Sequence, residues 1–225
     1  IPMHFEEIYL INVARRAEYA ANLDALALYD EYLAISHVAA AETSTLLSSR
    51  SQPLDDKIIR VAWPSVIDVK SVATHPVDAC GPVVLMTGDD ARKNTFGGLA
   101  GIAAATSHEV TRDVVVVGMA GQETRVHHWS IAAAMRPGEA RTLGRVGDEE
   151  LSELLHSASC VVVPSFDEGL SLPILEALRA GVPVVASDIP AHRELIGTGE
   201  FSCDPRSPRS IAPPARGARG TAESA

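Results

Sequence analysis

Four consecutive valines at 114–117 constrain the fold of this chain more than any other feature. A strand that does not alternate apolar and polar residues must be buried on both faces, as in a parallel sheet that crossover helices cover. Similar apolar segments recur along the chain and alternate with helical patterns. Strands are predicted at 82–88, 112–121, 140–144, 159–165 and 182–188, and helices at 94–107, 123–135, 148–158, 171–181 and 190–197. The pattern therefore predicts an α/β fold with a Rossmann-like parallel sheet and helices on both faces.

The first eighty residues carry a separate and shorter α/β pattern. The sequence predicts a helix at 5–29, a strand at 30–36, a helix at 37–49 and a strand at 56–62. We expect residues 1–62 to be the end of one Rossmann-like domain, 63–80 to be a connector and 81–204 to be a second domain. Residues 205–225, rich in Pro, Arg, Gly and Ala, are expected to form a disordered tail. Because the chain begins at Ile1 rather than Met, we expect it to be a piece of a longer protein.

Charge and cysteine content exclude several classes of function. The net charge of −10 argues against binding to DNA or RNA, which needs a basic surface, although a local phosphate site is compatible with it. The three cysteines lie far apart without a C-x-x-C motif, and His127 and His128 have no third ligand, so no metal site is expected. No apolar run approaches the ~20 residues of a membrane span. These features favour the reducing cytoplasm.

Two glutamates lie close together in the sequence, Glu168 and Glu176, with seven residues between them. They could be an acid/base pair, as in glycosidases, where two carboxylates flank the scissile bond. Alternatively, they could hold one ligand, because Gly169 leads into a helix N-terminus that attracts phosphate and Glu176 could accept hydrogen bonds from a ribose diol. They could also be a solvated loop charge and a helix surface charge. Spacing alone does not decide between the three.

The surrounding segment carries a longer and more specific pattern. Residues 163–197, "VPSFDEGLSLPILEALRAGVPVVASDIPAHRELIG", resemble the signature region of retaining glycosyltransferase family 4, whose E-x7-E pattern is met by Glu168 and Glu176. The segments "VVLMTGDDARKN" (83–94), "VVVVG" (114–118) and "LGRVGDEELSELLHSASCVVVPS" (143–165) follow the order of that family. In all, the resemblance covers about residues 25–205. It implies the C-terminal, donor-binding half of a GT-B fold, preceded by the end of the N-terminal domain.

The resemblance also assigns roles to residues. Glu176 would hold the ribose hydroxyls of a nucleotide-diphosphate sugar, Glu168 would hold a hydroxyl of the donor sugar, and Lys93 would neutralise the diphosphate, with help from Arg92. Backbone amides of the loop before the helix would hold phosphate and sugar. The implied catalytic residues are Glu168 and Lys93, and the implied donor-binding residues are Arg92, Lys93, Gly169, Leu170, Ser171, Leu172 and Glu176.

The implied activity is that of a hexosyltransferase in carbohydrate biosynthesis. It would transfer a sugar from the nucleotide donor, with retention of configuration, to a carbohydrate or lipid-linked acceptor. No cofactor and no metal would be needed, because Lys93 and the helix N-terminal amides serve the diphosphate. The expected location is the cytoplasm, with a peripheral attachment to the inner membrane through the missing N-terminal domain.

Some positions depart from the family pattern. Many members carry an arginine straight after the strand, where this chain has Thr87, Gly88, Asp89 and Asp90, and Ser171 stands where glycine is common. The resemblance implies that most of the N-terminal domain is missing from this chain, so we expect that the chain alone could bind donor without transferring sugar. The alternatives are therefore a non-catalytic nucleotide-sugar-binding fragment, a sugar-nucleotide epimerase with the same fold and, third, a glycosidase.

Overall fold

The computed structural model describes residues 21–22, 24–26, 28–49, 57–64, 81–105, 113–199 and 201–211. By its internal contacts the chain divides into two units. The first comprises Ile1–Ser65 together with the loop Asp167–Ser171, and the second comprises Val66–Phe166 and Leu172–Ala225.

The first unit contains a short β-α-β motif. Strand β1 (Glu31–Ala34), helix α1 (His37–Ser49) and strand β2 (Ile58–Val61) follow one another, and the two strands pair in parallel from Glu31 opposite Ile58 to Ala34 opposite Val61. All three elements lie within the predicted segments. Of the helix predicted at 5–29, residues 21, 22 and 24–26 are helical, whereas residues 5–20 and most of the connector at 63–80 lie outside the described residues.

The second unit alternates strands and helices as the sequence predicts. Its elements are β3 (Val83–Met86), a 3-10 turn (Ala91–Lys93), α2 (Thr95–Ala105), β4 (Val114–Val117), α3 (Glu123–Ala132), β5 (Ala140–Gly144), α4 (Asp148–Ser157), β6 (Cys160–Val163), α5 (Leu172–Arg179), β7 (Val184–Ser187), α6 (Pro190–Ile196) and β8 (Ser202–Cys203). The short strand β8 and the 3-10 turn are additions to the sequence prediction.

The six strands of the second unit form one parallel sheet in the order β5-β4-β3-β6-β7-β8. The chain moves outward from β3 to β5 on one side, then returns to place β6 on the other side of β3. This reversal is the topological switch point of a doubly wound sheet, where a crevice opens outside the carboxyl ends of the strands. The switch point therefore lies between the ends of β3 and β6.

Side chains of the strands alternate between two hydrophobic clusters, one on each face of the sheet. Val84, Val115 and Val161 pack with the residues of α4 and α5, whereas Val83, Val114 and Val162 pack with those of α2 and α3. All the residues of strands β3, β4 and β6 are buried, so the absence of polar alternation in the sequence reflects burial on both faces. The predicted fold class is confirmed.

Helix α2 contains three glycines, which weaken an isolated helix by ~1 kcal/mol each relative to alanine. The structure explains two of them by close packing. A Cβ at Gly98 would lie 2.6 Å from Leu85 Cδ1, and a Cβ at Gly101 would lie 2.6 Å from Ile211 Cβ. The glycines let the helix approach the sheet on one side and the C-terminal turn on the other.

The C-terminal segment differs from the sequence prediction. A disordered tail is expected from residue 205, whereas residues 205–211 form turns and Ile211 is fully buried in the cluster on the α2 face. Burial of the apolar Ile211 side chain offsets the conformational entropy that these residues lose on ordering. The Pro- and Arg-rich composition of the segment did not suggest such burial. Residues 212–225 lie outside the described residues.

Candidate functional site

The chain segments that leave β3 and β6 meet directly at the switch point of the sheet. Strands β3 and β6 are paired neighbours, with Val83 opposite Cys160. Beyond their ends, the backbone N–H of Phe166 donates a hydrogen bond of 2.8 Å to the carbonyl oxygen of Arg92. The sequence-predicted cations, Arg92 and Lys93, therefore lie on a turn that is bonded to the segment leading to Glu168.

The 3-10 turn that carries these cations is capped by Asp90. One carboxylate oxygen of Asp90 accepts a hydrogen bond of 2.9 Å from the backbone N–H of Arg92, and the other lies 3.0 Å from Arg92 Nε. The Arg92 guanidinium is partly exposed and is held by this pair in one orientation. Asp89 and Asp90 stand where the resembled family often has an arginine, and Asp90 thus orients Arg92.

Lys93 ends the turn, and its backbone is fixed by local bonds. Its N–H donates to the carbonyl of Asp90 at 3.0 Å. A Cβ at Gly88 would lie 3.5 Å from Lys93 Cγ, so the apolar stem of the lysine passes over this glycine in ordinary contact. The side chain of Lys93 is half-buried. A lysine whose stem is packed in this way presents its ammonium group with less loss of side-chain entropy on binding an anion.

Asn94 joins three segments of the second unit. Its backbone adopts the left-handed conformation, with φ 51, which asparagine tolerates better than most residues. Its Nδ2 donates to the carbonyl oxygens of Pro164 at 3.0 Å and of Pro205 at 2.8 Å. The side chain therefore ties the Lys93 turn to the end of β6 and to the C-terminal turn.

The loop Asp167–Ser171, which contains four of the predicted site residues, groups with the first unit. Glu168 and Leu170 are buried, at 7% and 3% exposure. The carbonyl oxygen of Gly169 accepts a hydrogen bond from the hydroxyl of Ser36, the residue before α1. The loop is thus fixed by a side chain that is distant in the sequence.

Ser171 combines two unfavourable features. Its φ of 105 lies in a region that residues with a Cβ rarely adopt, which agrees with glycine being common there in the family. Its Oγ is buried and has no hydrogen-bond partner among the described residues. Strained and unsatisfied residues of this kind concentrate at functional sites.

Glu176 lies on α5, four residues after Leu172, and is only 7% exposed. Burial raises the pKa of the Glu176 carboxyl above its ordinary value, and the nearby Asp148, the first residue of α4, raises the same pKa further. A buried carboxylate costs free energy unless it is hydrogen-bonded, so the site favours a ligand that donates hydrogen bonds to Glu176. A vicinal diol is such a ligand.

The predicted site residues divide between the two units. The second unit holds Arg92 and Lys93 on the 3-10 turn, and Leu172 and Glu176 on α5. The first unit holds the loop residues Glu168, Gly169, Leu170 and Ser171. The chain itself connects the two groups, because Ser171 directly precedes Leu172.

Three further residues at the site make contacts that the sequence did not indicate: Ser36, Asn94 and Asp148. A serine directly before a helical pattern signals an N-cap, so the capping role of Ser36 could have been predicted, but its bond to Gly169 could not. Asn94 acts through contacts with residues far along the chain, which no local pattern indicates. The pattern at 148–158 indicates Asp148 as the acidic start of a helix, and the structure has Asp148 as the first helical residue after the cap Gly147, but its effect on Glu176 could not be predicted.

Two other observations concern metals and membranes. Within the described ranges, no group of three or more His, Cys, Asp or Glu side chains could hold a metal ion. The expectation of a metal-independent site stays a prediction. Across the same residues, no helix has the length and apolar character needed to cross a bilayer.

Comparison with known proteins identifies relatives of this chain. It is 38% identical over 99 residues to the O-antigen chain mannosyltransferase B of Escherichia coli, a match that covers 44% of this chain and 26% of the relative. It is 31% identical over 151 residues to the phosphatidyl-myo-inositol mannosyltransferase of Mycolicibacterium smegmatis, covering 62% of this chain and 37% of the relative. The chain thus aligns with well under half the length of these two relatives.

Solved structures share the fold. The Anabaena protein HepE in complex with UDP and glucose matches with a TM-score of 0.65 at 18% identity, over 85% of this chain and 55% of that one. WaaG, a glycosyltransferase involved in lipopolysaccharide biosynthesis, matches with a TM-score of 0.62 at 14% identity, over 80% of this chain and 51% of that one. Both matches place this chain among GT-B folds. The sequence model of the glycosyl transferases group 1 family matches residues 81–215, more than half of the chain, and the chain belongs to that family.

Proposed function

We propose that this chain binds the nucleotide-sugar donor of a retaining glycosyltransferase, and that the complete protein transfers the sugar to a carbohydrate or lipid-linked acceptor. The observation that carries the proposal is the hydrogen bond of 2.8 Å from Phe166 N to Arg92 O at the switch point of the sheet. It joins the turn that carries two cations to the segment that carries the glutamate motif. Ligands of open α/β sheets bind at this point.

The Lys93 turn supplies the positive charge that a diphosphate requires. Lys93 and Arg92 lie next to each other at the end of β3, in a chain whose net charge is −10. Sugar transfer breaks the bond between the anomeric carbon and the diphosphate oxygen, and the bonding electrons leave with the diphosphate. Cations fixed beside that group stabilise the growing charge, and this stabilisation is the largest contribution expected from the protein. No metal ion is needed for this role.

Glu176 is proposed to hold the ribose. Its burial raises the free energy of the ionised carboxylate, and two donated hydrogen bonds from the ribose hydroxyls would offset that cost. Hydrogen bonds to a charged group contribute ~1.5–3 kcal/mol. Glu168, buried in the preceding loop, is proposed to hold a hydroxyl of the donor sugar. The complex of HepE with UDP and glucose supports a donor of this chemical class.

The first unit supports a longer N-terminal domain in the complete protein. Among its described residues the sheet has two strands, fewer than an independent sheet needs, and Leu28 and Leu33 remain 82% and 75% exposed. Further strands would cover these side chains. We propose that this domain supplies the acceptor site and the attachment to the inner membrane.

Donor binding without transfer is the second candidate for the chain by itself. It is favoured by the limited coverage of the relatives, 26% and 37% of their length. A transfer assay with and without the complete N-terminal domain separates the two. Sugar transfer by the 225-residue chain alone would exclude the non-catalytic alternative.

The ribose assignment is tested by calorimetric titration of the 225-residue chain with UDP, GDP and ADP. We expect Glu176→Ala to weaken binding by about 1.5–3 kcal/mol for the nucleotide that the wild type binds. The matched control is Glu153→Ala, which removes an exposed glutamate of α4. The loss should disappear when the same nucleotide lacks its 2′ and 3′ hydroxyls. If Glu176→Ala leaves affinity unchanged, or weakens both nucleotides equally, the assignment is wrong.

A further inference from the structure

We propose that Ser36 is a positioning residue for donor binding, because its hydroxyl fixes the peptide group between Gly169 and Leu170. This inference rests on the donor-binding function proposed above, in which the amides of the Asp167–Ser171 loop bind the donor. Ser36 lies 133 residues before Gly169 in the sequence. It is outside the signature region at residues 163–197.

Both hydrogen-bonding capacities of the Ser36 hydroxyl are used, and the residue is completely buried. Ser36 is the N-cap residue of α1, and its hydroxyl oxygen accepts a hydrogen bond of 2.9 Å from the N–H of Ala39. The single hydroxyl proton is donated to the carbonyl oxygen of Gly169. The carbonyl of Ser36 also accepts the N–H of Ala40 at 3.0 Å. Ser36 is therefore held by α1 on one side and holds the loop on the other.

The bond to Gly169 is not required for capping. An N-cap residue needs only an acceptor for a free N–H of the first helical turn, and aspartate, which has no donor when ionised, serves as well as serine. The hydroxyl of serine adds a donor, and this donor is directed at the loop. The bond accepted from Ala39 polarises the hydroxyl and strengthens the bond that it donates.

The held carbonyl sets the direction of the next amide. The peptide bond between Gly169 and Leu170 is trans, so the N–H of Leu170 points opposite to the carbonyl of Gly169. Since that carbonyl points at Ser36, the Leu170 N–H points away from α1. The bond removes one rotation of the loop, so less entropy is lost when the amide binds an anionic group.

Two substitutions separate this role from capping. Ser36→Ala and Ser36→Gly both remove the hydroxyl, but glycine is a much better N-cap than alanine. We expect Ser36→Ala to melt at a lower temperature than Ser36→Gly, and both to bind the nucleoside diphosphate about five- to tenfold more weakly than the wild type, as the loss of one hydrogen bond predicts. Leu47→Val, in the buried face of the same helix, is the control for destabilisation of the first unit.

The measurement is calorimetric titration with UDP, GDP and ADP, and with the corresponding nucleosides, well below the melting temperatures. A loss confined to the diphosphates, similar in the two Ser36 variants and absent in Leu47→Val, supports the inference. The inference is wrong if the Ser36 variants bind the diphosphates as tightly as the wild type. It is also wrong if their affinities follow their melting temperatures, or if the affinity for the nucleosides falls equally. If the wild type binds none of the three diphosphates, the proposed function fails instead.

Discussion

Asn94 offers a quantitative test of how the Lys93 turn is held. Its side chain donates to the carbonyls of Pro164 and Pro205 at 3.0 and 2.8 Å, and its backbone has φ 51. Asn94→Gly removes both side-chain bonds and tolerates the left-handed backbone, whereas Asn94→Ala removes the same bonds and adds backbone strain. The pair of variants therefore measures the two contributions separately.

The expected magnitudes follow from these contacts. Two neutral hydrogen bonds contribute about 1 kcal/mol each, so Asn94→Gly should lower the free energy of unfolding by about 2 kcal/mol. Left-handed backbone costs a residue with a Cβ about 1–2 kcal/mol, so Asn94→Ala should lower it by about 3–4 kcal/mol. The measurement is urea denaturation followed by circular dichroism, with Glu153→Ala as the exposed control, for which a change within about 0.5 kcal/mol is expected.

The ligand provides a second readout for the same variants. Because Asn94 directly follows Lys93, both substitutions should weaken diphosphate binding more than nucleoside binding. Equal stability of wild type and Asn94→Gly would show that the two bonds contribute nothing. Equal stability of Asn94→Gly and Asn94→Ala would refute the assigned backbone strain.

Two further predictions concern Glu176 and Ser171. Burial, and secondarily Asp148, raise the pKa of Glu176 above its ordinary value. Between the ordinary and the raised pKa the folded state binds more protons than the unfolded state. The free energy of unfolding therefore falls as the pH rises through that window. Asp148→Asn should lower this pKa and move the onset of nucleotide binding to lower pH, whereas Glu149→Gln, which removes a charge from the same helix turn, should not; an identical pH profile in both variants would disprove the coupling. Ser171→Gly should raise the free energy of unfolding by about 1 kcal/mol, because it removes backbone strain and a buried hydroxyl without a partner among the described residues; a lower melting temperature would contradict this.

The sequence predicts the elements of this fold well because the strands are buried on both faces. The four valines of β4 and the apolar runs of β3 and β6 have no other common explanation in a chain with helical segments between them. Helix α1 lies at the predicted residues, His37–Ser49. Local patterns of this kind depend on neighbouring residues and need no knowledge of the rest of the chain.

Features that depend on distant contacts were not predictable. Ile211 lies in a segment whose composition suggests disorder, and it is buried because Gly101 leaves room for it. The bond between Ser36 and Gly169 joins residues 133 apart. The spacing of Glu168 and Glu176 left three interpretations open. Residues around them carried the family resemblance, and the fold added the hydrogen bond that joins the Lys93 turn to Phe166, beyond the end of β6.

The most direct test of donor binding at the switch point is the effect of Lys93→Met on the affinity for nucleoside diphosphates and nucleosides. Methionine keeps the apolar stem over Gly88 and removes the charge. We predict a loss of about 1.5–3 kcal/mol in calorimetric affinity for the diphosphate that the wild type binds, with the affinity for its nucleoside unchanged. A diphosphate affinity equal to that of the wild type would contradict the assignment of this turn to the diphosphate.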